Sequence, residues 1–198
     1  MAHGVRFDVL TNHKLQQVAW TSGGWDVGFL VLDRNGNGKI DDGSELFAGS
    51  AAQTVAPGLS KGAPIAALGG GRGQVPGRSA FLGGSGKIGR VRGSTAKNAF
   101  DRLALYDLPA NGGNGDGQID SQDAVFSKLM VWVDLNHNGI SDPGELHSLA
   151  DFGISSISLK YEANQWTDIY GNRFGYRASI VRYGGVQPIY DVYLLMGQ

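Results

Sequence analysis

Three stretches of this 198-residue chain place acidic and amide side chains at alternate positions around a glycine. They read DRNGNGKIDDGSE from Asp33, NGDGQIDSQD ending at Asp123, and DLNHNGISDPGE from Asp134. A hard cation such as calcium takes six to eight oxygens at about 2.3–2.6 Å. A calcium loop supplies them from its first, third, fifth, seventh, ninth and twelfth positions, with glycine at the sixth for the sharp turn. Chain segments of this kind fold around an ion or stay open, because clustered carboxylates without a cation repel one another.

The third loop meets the pattern at every position, with Asp134, Asn136, Asn138, the Ile140 carbonyl, Asp142 and Glu145 as ligands and Gly139 at the turn. In the first loop Asp33, Asn35, Asn37, the Lys39 carbonyl and Asp41 fit, Ile40 takes the inward position, and Ser44 stands at the twelfth. An extension through Gly43 brings Glu45 to the ion instead. The second loop keeps Asn114, Asp116, the Gln118 carbonyl, Asp120 and Asp123, but its first position falls on Gly112. Asp107, with LPANGG inserted behind it, is the natural first ligand. One Asp-Gly or Asn-Gly pair alone marks a turn. Three loops with consistent internal spacing point to two or three calcium ions.

Amides at the third and fifth positions of the first and third loops imply modest affinity. With a dissociation constant of roughly 0.1 mM and about 1 mM free calcium, each site adds on the order of 1.4 kcal/mol, and three add about 4 kcal/mol. At submicromolar calcium the sites are nearly empty, so an extracellular setting is expected. The chain has no cysteine, which leaves bound calcium as the substitute for disulfides. It shows no signal-peptide pattern, and no apolar run is long enough to span a bilayer.

A net charge of -1 argues against a nucleic-acid binder. The average conceals a segregation, since residues 46–100 hold no Asp or Glu while Lys61, Arg72, Arg78, Lys87, Arg90, Arg92 and Lys97 are all basic. A glycine-rich insert at about 48–93 is expected to be irregular and flexible, with too little apolar surface to offset the cost of ordering it. It is a candidate contact for an acidic polymer, a cell-surface glycan or a protein.

Strands are expected at GVRFDV, LQQVAW and FLVLD near the N-terminus, and at ISSISLKYE, RFGYRASIVRY and IYDVYLL near the C-terminus. Between them, AKNAFDRLALYD capped by Ser94 or Thr95, QDAVFSKLM capped by Ser121, and GELHSLADFG closed by Gly153 read as short helices. The expected fold is therefore α+β: a single domain over residues 1–198 in which an antiparallel sheet from both ends packs with short helices and EF-hand-like calcium loops.

GFLVLDRNGNGKIDDGSELF, followed by LALYD and NGDGQIDSQDAVFSKLMVWVDLNHNGISDPGELHSLADFGISSISL, resembles secreted bacterial calcium-binding proteins related to the self-processing module of RTX (repeat-in-toxin) proteins. The resemblance implies a secreted, calcium-folded module, and for the self-processing module also calcium-triggered cleavage of an upstream Asp-Pro bond, whose freed aspartyl group joins a lysine. Nothing before Val5 supplies an Asp-Pro pair, and Asp142–Pro143 lies inside the third loop.

The primary reading is a secreted calcium-binding structural or interaction module with no catalytic residues of its own. A self-processing module or its processed product is the alternative from the enzyme class. Trp20, Trp25, Trp166, Tyr161, Tyr170 and Tyr183 near strand ends supply a third reading, a carbohydrate or surface-adhesion face, against the commoner role of aromatics in a core. Asp8, Asp26, Asp168 and Asp191 are the residues from which an acid pair would be drawn, although aspartates beside strand ends are more often turn or capping residues.

Overall fold

The computed structural model describes residues 4–20, 27–47, 96–197 and, for the backbone alone, 64–69. β1 (Val5–Phe7) and β2 (Gln16–Val18) form a two-stranded antiparallel sheet. The connection between them turns through left-handed backbone at Thr11 and His13, and the Asp8 carboxylate accepts the Asn12 and His13 N–H groups at 3.0 and 2.7 Å. A larger antiparallel sheet holds β3 (Val27–Val31), β4 (Pro64–Gly69), β5 (Gln118–Asp120), β6 (Met130–Trp132), β7 (Leu146–Ser148), β8 (Ile154–Ser158), β9 (Glu162–Thr167), β10 (Arg173–Arg182) and β11 (Gly185–Tyr193). Its strand order is β5-β8-β10-β11-β4-β3-β6-β7, with β9 also paired to β10.

Both faces of this sheet are covered, which explains why FLVL in β3 reads as an unbroken apolar run and not as an alternation. Leu30, Val131, Ile157, Ile180 and Ile189 face one core with Phe100 and Leu103. Phe29, Val31, Trp132, Phe174 and Val192 face the other, which β1 and β2 close with Val5, Phe7, Val18 and Trp20. Trp20 and Trp132 pack edge to face at 5.5 Å, with Phe7 against both. Gly28 is needed where β3 meets β6, because a Cβ there would lie 2.4 Å from Val131 Cγ1.

The architecture is mainly β, which corrects the α+β expectation. Among the described residues there is one α-helix, α1 (Ala99–Leu103), and three single 3-10 turns at Pro109–Asn111, Phe126–Lys128 and Ala150–Phe152. The anticipated helix from residue 96 is cut short because Asp107 is drawn into the second loop, where its carboxylate accepts the Gly115 and Gly117 N–H groups. Its cap is Asn98, whose side chain accepts the Asp101 N–H, while Ser94 and Thr95 lie outside the described residues. In QDAVFSKLM, Asp123 closes a loop and Met130 enters a ladder opposite Ser148. The third expected helix becomes β7 and one 3-10 turn, although Gly153 is left-handed there as expected, at φ 62°. Helical periodicity was outweighed by loop closure through the Asp107 and Asp123 carboxylates and by strand pairing of Met130 and β7, a common tertiary override of local propensity.

Other expectations also shift. The N-terminal strands do not all join the main sheet, since β1 and β2 stand apart and only β3 enters it. Alternate positions along a strand ordinarily share a face, but the register of β10 slips between Phe174 and Tyr176 and sends the first to one core and the second to the other. Of the insert predicted at 48–93, residues 64–69 form β4 between β3 and β11 and so are not irregular, and the rest lies outside the described residues. Among the described residues no helix is long and apolar enough to cross a membrane.

Asp191 lies at the centre of β11, fully buried, opposite Tyr176 on β10 and Ala66 on β4. Neither carboxylate oxygen has a partner at hydrogen-bonding geometry. Burial pushes this carboxyl up to about 8, an effect that the nearby Ala99 N–H and Tyr193 hydroxyl only partly offset. An unfolded aspartate ionises near ~4. The folded chain therefore holds one proton more than the unfolded chain between those values, and the stability contributed below about pH 4 is lost as pH rises towards 8. Asp191→Asn is expected to gain on the parent by a few kcal/mol, to order of magnitude, at pH 8 relative to pH 5 in urea denaturation. An identical gap at both pH values would show that Asp191 is ionised in the folded state.

Candidate metal centres

The three loops share one hydrogen-bond circuit. In each, the first acid accepts N–H groups from the glycine-rich turn. Asp33 accepts from Gly36 and Gly38, both at 2.7 Å; Asp107 from Gly115 and Gly117 at 2.9 and 3.0 Å; Asp134 from Asn138 and Gly139 at 3.0 and 2.8 Å. The last acid spans the loop. Glu45 accepts from the Arg34 and Asp41 N–H groups, Asp123 from Asn114 and Asp120, and Glu145 from Leu135 and Asp142. The circuit gives Asp107 the same first-position role as Asp33 and Asp134 despite five extra residues before Asn114, and Glu45 the same last-position role as Asp123 and Glu145 despite the extra residue before it.

Between these acids the third and fifth side chains fold inward. Asn35 and Asn37 donate to Asp41 Oδ2 at 3.1 and 2.6 Å, and Asn136 and Asn138 donate to Asp142 Oδ2 at 2.7 and 2.8 Å. These amides hold the Asp142 carboxyl below the usual carboxylate range. In the second loop Asn114 donates instead to Asp116 at 3.0 Å, and Asp120 accepts from Gln122. Lys39, Gln118 and Ile140 follow at the seventh position, their N–H groups bound to the fifth side chain in every loop.

Among the described residues no three of His, Asp and Glu gather closely enough to hold a metal on their own. The donors are spread around each loop and depend on amide and carbonyl oxygens as well as carboxylates. Each carboxylate oxygen that accepts one N–H keeps a further lone pair, so the all-oxygen set suits a hard cation. Glu45, Asp107, Asp123, Asp134 and Glu145 are buried carboxylates, an arrangement that is costly unless hydrogen bonds and positive charge compensate it.

The eighth position ties the loops to the fold. Ile40 and Ile119 are buried there, and so is Ser141 in the third loop, whose hydroxyl oxygen accepts the Ile40 N–H at 2.8 Å. The first and third loops thus meet side by side, while the second runs into β5 against β8. Spacing marks Ser141 as the counterpart of the two isoleucines, but its partner could only be seen in the folded chain. Trp132 Nε1 also donates to Glu145 at 3.4 Å, linking the third loop to the aromatic core. His137, at the fourth position, adopts φ 60° where the other loops have Gly36 and Gly115.

The remaining candidates separate. Trp20 is core, Tyr161 stacks on Phe100, and Trp25 lies outside the described residues. Trp166 is 52% exposed with its ring against Phe174, and Tyr183 is 73% exposed with its hydroxyl donating to the Asp151 carbonyl. Asp8 and Asp168 cap turns, Asp191 is buried, and Asp26 lies outside the described residues.

A family model described as SPM domain matches residues 1–65 and 71–195. The iron-regulated protein FrpA of Neisseria meningitidis serogroup C is 35% identical over 156 residues, covering 77% of this chain and 10% of that protein. The chain thus spans about a tenth of the length of this relative.

Gly139 and Gly38 occupy the same turn position at φ 73° and 77°, but only Gly139 is crowded: a Cβ there would lie 2.9 Å from Val5 Cγ2 and 3.1 Å from the Arg6 carbonyl. Alanine in left-handed backbone costs roughly 1–2 kcal/mol at either site. Gly139→Ala is expected to lose at least ~1 kcal/mol beyond that by displacing β1. Denaturant midpoints of the two variants measure the difference, and equal losses would mean that β1 is not held against the third loop.

Proposed function

This chain belongs to the SPM domain family, and on that premise we propose that it is a calcium-binding module of a secreted bacterial protein, held together by two or three ions. The observation that carries the reading is the common circuit of the three loops, which aligns three differently spaced sequences on the same six positions. Asp33, Asn35, Asn37, Asp41 and Glu45 with the Lys39 carbonyl would hold one ion. Asp107, Asn114, Asp116, Asp120 and Asp123 with the Gln118 carbonyl would hold a second, and Asp134, Asn136, Asn138, Asp142 and Glu145 with the Ile140 carbonyl a third. When bound, calcium would neutralise the buried carboxylates.

A second reading, calcium-dependent self-processing at an Asp-Pro bond, is favoured by the position of the N-terminal strand. β1 lies against Gly139 of the third loop, and the Asp8 carbonyl accepts the Gly43 N–H of the first loop at 2.8 Å. Ordering of these loops by calcium would be transmitted to whatever segment joins β1. Secretion and RTX relationship are the setting that the low ligand charge and the sequence resemblance support.

Removal of calcium by a chelator is expected to lower the melting temperature markedly, and calorimetric titration to return two or three sites. Asp134→Ala with Glu145→Ala should remove one site. A melting temperature indifferent to chelator, with that variant unchanged in titration, would overturn the calcium reading. A chain carrying an upstream Asp-Pro segment, incubated with calcium and run on a gel, tests the second: cleavage supports it, and an uncut chain at every calcium concentration dismisses it.

A further inference from the structure

A cleft of about 500 Å³ opens between the first loop and the segment that leads from α1 into the second, lined by Arg34, Ser44, Arg102, Leu105, Tyr106 and Asn111. Two guanidinium groups share it. Arg34 is held in place: its Nε donates to the Ser44 carbonyl and its Nη1 to the Tyr106 hydroxyl, both at 2.6 Å, and its guanidinium lies 5.9 Å from the Phe47 and Tyr106 ring centres. Two of its five N–H donors are thereby used. Arg102 projects from α1 and is half-buried, and both burial and the neighbouring Arg34 charge disfavour its protonated form.

Among the described residues neither arginine has an acid partner. Among the described residues the one ion pair joins Arg177 to Glu162. The stretch 46–100, part of which lies outside the described residues, contains no Asp or Glu that could supply one. Two like charges held together in a partly buried cleft raise the energy of the folded state, and an anion between them lowers it. Guanidinium forks match the paired oxygens of carboxylates and phosphates, and the cleft adds a phenol hydroxyl whose proton is free to donate while its oxygen accepts from Arg34.

We propose that the Arg34–Arg102 cleft is a binding site for an oxyanion, a carboxylate or a phosphate group, bridged by the two guanidinium groups. The site does not rest on the calcium reading, since neither arginine side chain is a loop ligand.

Titration of the full chain in saturating calcium with succinate, and separately with methyl phosphate, at constant ionic strength set by sodium chloride, tests the proposal and distinguishes the two sources. Saturable one-to-one binding of either probe is expected, and weaker binding in a second series held at a higher sodium chloride concentration. Arg102→Gln should weaken it tenfold or more, and Lys160→Gln, a change at an exposed lysine, by less than twofold. In the parent, amide resonances shifted by the probe should centre on Ser44, Leu105 and Tyr106, a readout that needs no variant. Absence of saturable binding by both probes, equal loss in the two variants, or shifts centred elsewhere would overturn it.

Discussion

A buried carboxylate that grips two backbone N–H groups closes each of the three loops, and the rest of the molecule is arranged around those closures. Glu45, Asp123 and Glu145 are 2%, 3% and 3% exposed, and each joins the residue after the first acid or third-position amide to the ninth-position acid. A buried carboxylate is costly unless hydrogen bonds and positive charge surround it. The backbone supplies the first part of that compensation, and the calcium we propose would supply the second.

From these closures the loops extend into both cores. Glu145 is joined to Trp132, whose ring belongs to the aromatic cluster with Phe7, Trp20 and Phe29, and Ile119 from the second loop is buried in the other core. Contact between Ile40 and Ser141 sets the first and third loops side by side, with β1 against the third and Asp8 and Val9 against the first. A change in the second loop is therefore felt by the sheet through Ile119, and a change in the first or third also by the N-terminal segment through close backbone contacts. The Arg34–Arg102 cleft lies where the first loop meets the approach to the second, so an anion there would touch segments that both loops position.

The turns of the three loops were legible in the chain because they are specified locally, by residue type at fixed intervals. The displaced Glu45 and the distant Asp107 are expected in these places on the same chemistry, and the folded chain gives both the hydrogen bonds of their counterparts. Helices were overread because AKNAFDRLALYD and QDAVFSKLM carry helical spacing, yet Asp107, Asp123 and Met130 have partners elsewhere that a helix would deny them. The slip in β10 that parts Phe174 from Tyr176 is invisible to a period of two. The arginine cleft had no sequence signal, since Arg34 and Arg102 are far apart in the chain and ordinary singly.

By itself the sequence determined the loop chemistry, the turn glycines, the absence of disulfides and most of the strands, since each depends on neighbours within a few residues. Tertiary structure decided the class of the fold, the separation of β1 and β2 from the main sheet, the two cores on its faces and the meeting of Arg34 with Arg102. Those features arise from contacts between segments tens of residues apart, where burial and strand pairing outweigh local preference.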